Sequence, residues 1–166
     1  MRRSIIAVTL LAAACGQQMS DEERALRDQQ DVAAVEKANE VIPPLEEVTP
    51  DPLLYPDIER YDIKGAACNF APGTSLGTRV VAREADAFVK IGGEVERFAA
   101  DAGARELPQR TRSRYTGKTY ELRLDLKGEG TAGEAGKADF EGTVTLRDRH
   151  GRVAYTGTGL AQCSPG

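Results

Sequence analysis

A strict alternation of apolar and charged residues limits the architectures open to the second half of this chain. In residues 119–127 every second side chain is apolar, and the side chains between them are charged or polar. Successive side chains of a β-strand point to opposite faces of the sheet, so this segment predicts an antiparallel strand with one buried face. The inward residues are Tyr120, Leu122, Leu124 and Leu126.

Segments of the same kind recur from residue 58 onward, separated by turn residues. They lie within 58–70, 78–84, 87–91, 94–99, 112–115, 119–127, 140–147 and 152–163, with a turn at 148–151. Tyr61 and Ile63 differ in parity from Cys68 and Phe70, so we expect a bulge near residues 65–67 that turns all four toward the core. About eight short strands predict an all-β domain, a small antiparallel barrel or sandwich, over residues 58–166.

The first sixteen residues predict export. Two arginines precede an apolar run of ten residues, which is too short to span a bilayer permanently. The run ends in Ala12-Ala13-Ala14-Cys15, which resembles the lipobox of bacterial lipoproteins. The resemblance implies that residues 1–14 are a removed signal peptide and that Cys15 carries the lipid. Gly16 then implies sorting to the outer membrane, facing the periplasm. The alternative is an ordinary signal peptide with Cys15 unmodified.

Residues 15–57 predict a stem between this anchor and the β domain. Ser20 and Glu23 have the spacing of a capping box, so we expect a helix over residues 20–39. Residues 40–57 are rich in proline and acidic residues, which favours an extended linker.

The two remaining cysteines predict a disulfide. If Cys15 is lipidated, Cys68 and Cys163 form an even pair in an oxidising compartment, where a bond between them is expected. Such a bond would join the first strand of the domain to the last. The alternative is a pair of buried free thiols.

Charge and motifs argue against several function classes. Residues 51–166 carry seventeen acidic and seventeen basic residues, so no nucleic-acid partner is expected. Residues 128–133 match a dinucleotide fingerprint, but no helix is predicted after them, and a flexible hairpin loop is expected. His150, the single histidine, falls in a turn. We therefore expect no catalytic, cofactor or metal site, and no enzyme.

One basic cluster is a candidate binding surface. It comprises Arg105, Arg110, Arg112, Arg114 and Lys118, with Tyr115 and Tyr120 nearby. An acidic partner or a polyanion would fit this composition. The alternative is that these residues form a solvated rim, that is, an edge of the domain with ordinary solvent-exposed side chains.

A family resemblance overlaps this cluster. Ser113-Arg114-Tyr115, Tyr120 and Lys127-Gly128-Glu129 lie between two cysteines that bracket the domain. This arrangement resembles the membrane-bound inhibitors of C-type lysozyme, which are lipid-anchored β-barrels with a stapling disulfide. The resemblance implies that loops bearing Ser113 and Lys127 enter the lysozyme cleft.

The sequence as a whole predicts a lipid-anchored envelope protein that acts by binding. The expected partners are the membrane, through the lipid, and a protein of the envelope. The candidate contact residues are Ser113, Arg114, Tyr115, Lys118 and Lys127. Lysozyme inhibition and transport of a small apolar ligand inside the barrel are the alternative functions.

Overall fold

The computed structural model describes residues 20–40 and 42–166, so Cys15 and the predicted signal peptide lie outside the described residues. The chain divides into two units after Pro43. The first contains helix α1 (Asp21–Glu40), which confirms the predicted helix. At its start the Ser20 N–H donates to the Glu23 carboxylate at 3.0 Å, and the Glu23 N–H donates to the Ser20 hydroxyl at 3.2 Å.

The second unit is an eight-stranded antiparallel barrel with one extra strand. Its elements are β1 (Pro50–Asp51), α2 (Tyr55–Arg60), β2 (Ala67–Pro72), β3 (Val80–Ala82), β4 (Asp86–Ile91), β5 (Glu94–Ala100), β6 (Arg114–Thr116), β7 (Tyr120–Ala132), β8 (Ala138–Asp148) and β9 (Val153–Ser164). Each strand from β2 to β8 pairs with the next, and β9 returns to β2. The short β1 adds to β4. The predicted all-β class and the barrel are confirmed.

The barrel interior is filled with apolar side chains. Leu122 and Leu124 of β7 are fully buried, as the alternating pattern predicts. They pack with the inward residues of the other strands, among them Phe70, Val80, Val89, Phe98, Tyr115, Val144, Leu146 and Ala161. A side-chain carbon built on Gly142 would lie 2.9 Å from the Ala161 Cβ atom. The interior therefore has no room for an added methyl group at this position.

A disulfide links the two strands that close the barrel. Cys68 on β2 lies directly opposite Cys163 on β9, and both are fully buried. The bond between them joins residues 95 apart in sequence, which confirms the predicted pairing.

The segment before β2 is not a strand, and it does not lie on the core side of the barrel. Residues from Tyr55 to Arg60 form α2, and Ile63 packs on the outer face of the barrel with Leu53 and Phe88. The expectation that Tyr61 and Ile63 face the barrel core is therefore wrong.

The barrel unit begins at Pro44 and not at residue 58. One of the two polar contacts of Asp57 caps α2 itself, and the other joins α2 to strand β4. The Asp57 carboxylate accepts from the Leu54 N–H at 2.9 Å and pairs with Lys90 at 2.9 Å. Part of the predicted linker is thus an outer layer of the domain, because apolar side chains on the outside of β3 and β4 need a cover.

The glycine-rich stretch after Lys127 is a continuation of β7 and not a loop. The strand runs to Ala132, with an irregular register between Lys127 and Thr131. Gly130 has a φ of +78°, and a Cβ atom there would lie 2.5 Å from the ring of Phe140. Close packing against the Phe140 ring thus explains why residue 130 is a glycine in the segment 128–133 that matches the dinucleotide fingerprint.

Candidate functional site

A cleft lined by four arginines lies on the outer face of the barrel. Alternation along β7 turns Arg123 outward, and the register with β6 places Arg114 directly opposite it. On β8, Arg147 lies opposite Glu121 of β7. The loop between β5 and β6 adds Arg105. The resulting depression, here called the arginine cleft, has a volume of about 330 Å³ and is lined by Gly103, Ala104, Arg105, Ser113, Arg114, Glu121, Arg123, Asp125 and Arg147.

The long β5–β6 loop that forms one wall is fixed by hydrogen bonds. The Asp101 carboxylate accepts from the Gly103 N–H at 2.9 Å, and the Ser113 N–H donates to the Arg105 carbonyl at 2.9 Å. The Ser113 carbonyl accepts in turn from the Leu124 N–H of β7 at 3.0 Å. The backbone on both sides of Arg105 and Arg114 is therefore tied to the sheet.

The arginines are held by carboxylates that remain exposed. Arg123 pairs with Asp125 at 2.7 Å, Arg105 approaches the same carboxylate at 3.8 Å, and Arg114 pairs with Asp101 at 3.4 Å. The side chains of Arg105, Arg114 and Arg123 are 62, 51 and 61% exposed. Exposed ion pairs contribute only about 0–1 kcal/mol, so a bound anion can replace these carboxylates at small cost.

The electrostatics of the cleft favour the charged form of Arg123. The hydrogen bond from Arg123 to Asp125 raises the pKa of the guanidinium further above its ordinary value. Arg147 donates to the Gly151 carbonyl at 2.7 Å. Because this acceptor is neutral, the contact does not compensate the charge of the Arg147 guanidinium. The cleft thus offers fixed positive charge and guanidinium donors, which is the chemistry of an anion-binding surface.

The structure separates the residues that the sequence grouped together. Ser113 and Arg114 line the arginine cleft. Lys118 lines a neighbouring cleft of about 340 Å³, which shares Glu121 and Arg147 with the first. Lys127 is exposed and pairs with Glu141 at 2.8 Å, and it lines neither cleft.

Tyr115 is part of the barrel core and lines neither of these two clefts. Its side chain is fully buried because it shares the inward parity of Leu122, its partner on β7. The hydroxyl donates to the Arg83 carbonyl at 2.8 Å and accepts from the Arg112 N–H at 2.6 Å. Burial raises the pKa of this phenol. Its role is to tie the β5–β6 loop to the turn between β3 and β4.

Arg123 and Arg147 are cleft residues that the sequence did not single out. Both alternate with inward apolar residues on long strands, as solvated side chains do. Only the register of β6 with β7 and of β7 with β8 gathers them beside Arg114. A prediction of how β6, β7 and β8 pair would have been needed to place Arg123 and Arg147 in the cleft.

A second charged cleft lies where β3, β4 and β5 meet the β5–β6 loop. Its volume is about 510 Å³, and it is lined by Ala66, Arg83, Glu84, Ala85, Asp86, Arg97, Gln109 and Arg110. The buried Asp86 carboxylate pairs with Arg83 at 2.7 Å and with Arg97 at 2.8 Å. Burial acts to raise the pKa of Asp86, but the hydrogen bonds from the two arginines outweigh it and lower the pKa.

The function of this second ion cluster is structural. The remaining terminal nitrogen of Arg83 donates to the carbonyls of Asp62 and Lys64, both at 3.1 Å. The guanidinium therefore fastens the segment after α2 to the barrel, and its donors are already engaged.

Gln109 and Arg110 form a strained turn beside this cleft. Their φ angles are +58° and +60°, in the left-handed region that favours glycine or asparagine. The turn closes with the Thr111 N–H donating to the Pro108 carbonyl at 3.2 Å. Thr111 is fully buried, and its hydroxyl lies 3.6 Å from the Cys68 sulfur.

Other site classes receive no support from the described part of the chain. Residues 20–40 and 42–166 hold no cluster of three or more metal-ligating side chains. His150 is an exposed turn residue whose N–H donates to Asp148. Among the described helices, none has the length and apolar character needed to cross a membrane. No family model, curated protein or solved structure matches this chain.

Proposed function

We propose that this chain is a lipid-anchored envelope protein that binds an anionic partner through the arginine cleft. The carrying observation is the convergence of Arg105, Arg114, Arg123 and Arg147 on one outer face of a disulfide-closed barrel. A tightly hydrogen-bonded scaffold holds these side chains, so little backbone ordering is needed on binding. The filled barrel interior gives no support to transport of an apolar ligand.

The proposed cellular location of the protein is supported by the lipobox resemblance at Cys15. Diacylglycerol on this residue would anchor the chain in the outer membrane, and Gly16 favours that sorting. Replacing Cys15 by serine should release the protein from sedimented membranes. Unchanged membrane fractionation of Cys15→Ser would refute lipid anchoring.

Site-specific photocrosslinking tests the proposed binding face. A benzophenone side chain placed in the full-length protein at Gly103, an exposed residue that lines the cleft, leaves all four arginines in place and should capture an envelope partner in living cells. The same group at Leu160, which is exposed on β9, is the matched control. We expect an adduct from position 103 that is absent from position 160 and weakens at raised salt. Equal adducts from both positions would refute the assignment.

Inhibition of a C-type lysozyme is the second candidate function. The barrel and its closing disulfide agree with the build of that inhibitor family. Ser113 lies in the arginine cleft, and its carbonyl accepts from the Leu124 N–H of β7. Lys127 follows Leu124 by three residues, which is about 10 Å along the strand. Both residues therefore lie toward the same end of the barrel.

An activity assay separates this candidate from the first. Purified protein at micromolar concentration should lower C-type lysozyme activity, and Lys127→Ala should weaken the inhibition. Lys137→Ala, also an exposed lysine, is the control. Lysozyme activity that stays unchanged by the wild-type protein would end this candidate.

A further inference from the structure

We propose that the arginine cleft is a phosphate subsite and that the group it recognises is a phosphomonoester. The inference deepens the function proposed above and rests on it. It follows from three properties of the cleft: unused donors, opposed like charges, and a size suited to one small ligand group.

The guanidinium donors of the cleft greatly outnumber the acceptors that they contact. Each guanidinium carries five N–H groups. Arg123 directs two nitrogens to Asp125, whereas Arg105 and Arg114 each direct one nitrogen to a carboxylate. The remaining N–H groups belong to side chains that are more than half exposed and line an open depression. A ligand oxygen can accept from them before any existing pair breaks.

Two of these positive charges oppose each other across neighbouring strands. Arg114 and Arg123 are direct partners in the β6–β7 ladder. Like charges at such positions are destabilising, because the Cβ atoms lie only about 5 Å apart. Asp101 and Asp125, which pair with these arginines, offset part of this repulsion. A dianion bound between the two side chains would offset more of it.

A phosphomonoester fits this arrangement better than a second carboxylate does. It carries a charge of about −1.5 to −2 at neutral pH and three strong acceptor oxygens, which match three guanidinium groups. Arginine forks bind such oxygens in pairs. Asp101, Glu121 and Asp125 already supply carboxylates at the cleft. The volume of about 330 Å³ accommodates a phosphate with a sugar or a headgroup attached.

Titration of the mature protein with inorganic phosphate tests the subsite directly. Arginine side-chain N–H resonances report on each guanidinium, and the ionic strength is matched with sodium chloride. We expect saturable shifts of Arg105, Arg114 and Arg123 that chloride does not reproduce. Shifts that grow linearly with phosphate, or equal shifts in chloride, would overturn the proposal.

Paired variants show whether the two opposed arginines form the subsite. Arg114→Gln with Arg123→Gln should weaken phosphate binding at least about tenfold. Arg110→Gln is the matched control, because Arg110 is equally exposed, pairs with a single carboxylate and lies in the other cleft. Its phosphate affinity should stay within about twofold of wild type. Arg114→Lys with Arg123→Lys keeps the charge without the fork and should give an intermediate affinity. Equal losses in the control and the double glutamine variant would contradict the assignment.

Two probes distinguish the source of the phosphate. Glucose 1-phosphate represents a soluble or glycan-borne phosphomonoester, and phosphatidylcholine vesicles with phosphatidic acid represent a lipid headgroup. Binding of either that depends on Arg114 and Arg123 supports the subsite and identifies the source. If neither probe binds but position 103 still crosslinks a partner, the subsite is refuted while the proposed function stands.

Discussion

Loss of the Cys68–Cys163 disulfide should destabilise the protein more than most single changes. The bond closes a loop of 95 residues, and the chain-entropy relation gives about 4.7 kcal/mol for a loop near this length. Native strain and residual structure in the unfolded chain reduce that figure, so we expect a loss of about 3–4 kcal/mol. In a domain of this size the loss corresponds to a fall in melting temperature of roughly 10–15 °C.

Urea unfolding of the Cys68→Ala, Cys163→Ala protein measures this loss. Both cysteines are fully buried, and the Cys68 sulfur lies 3.6 Å from the Pro108 carbonyl and from the Thr111 hydroxyl, so the alanines also remove some packing. The wild-type protein unfolded in reductant is the control, since it keeps both sulfur atoms and loses only the bond. A difference below about 1 kcal/mol between oxidised and reduced wild type would refute the chain-entropy reasoning.

Three further changes test the packing and electrostatics of the barrel. Asp86→Asn should cost about 2–4 kcal/mol in urea unfolding at neutral pH, because it leaves paired arginines without their buried carboxylate. The pKa of Asp86 is lowered below its ordinary 3.8, so its contribution is present above that pH and disappears as the pH falls through the lowered value. The difference in free energy of unfolding between the wild type and Asp86→Asn should therefore become smaller in acid. A difference that does not change with pH would contradict this. Replacing Gln109-Arg110 by Asn-Gly should raise the free energy of unfolding by about 1 kcal/mol, since asparagine and glycine suit two left-handed backbone positions. A lower free energy of unfolding in this variant would contradict the proposed backbone strain. Gly159→Ala should cost more than about 3 kcal/mol, because its Cβ atom would lie 2.1 Å from the Ala71 carbonyl oxygen; soluble protein of unchanged melting temperature would refute that reading.

The strands were predictable because their signal is local. Every second residue from Tyr120 to Leu126 of β7 faces the core, and Gly92-Gly93, with φ of +58° and +83°, marks the hairpin between β4 and β5. The outer layer was missed because its prolines predict an extended linker. The apolar runs 80–82 and 87–89 carried the missing information, since a strand that is apolar on both faces must be covered on both.

The site was less predictable than the fold. Arg114 was singled out because it belongs to the basic cluster in the sequence, and Ser113 because of the family resemblance. Tyr115 was misplaced because its inward parity depends on where β6 begins. Arg123 and Arg147 join the cleft only through pairing between strands, which a single sequence does not specify.

The dependence of partner affinity on salt and on Arg114 and Arg123 shows whether the arginine cleft is the binding surface. The partner crosslinked from position 103 is titrated with the mature protein at several sodium chloride concentrations. We expect the affinity to fall steadily with salt, and to fall at low salt in the Arg114→Gln, Arg123→Gln protein but not in Arg110→Gln. An affinity that neither salt nor the double variant changes would contradict an arginine cleft as the binding surface.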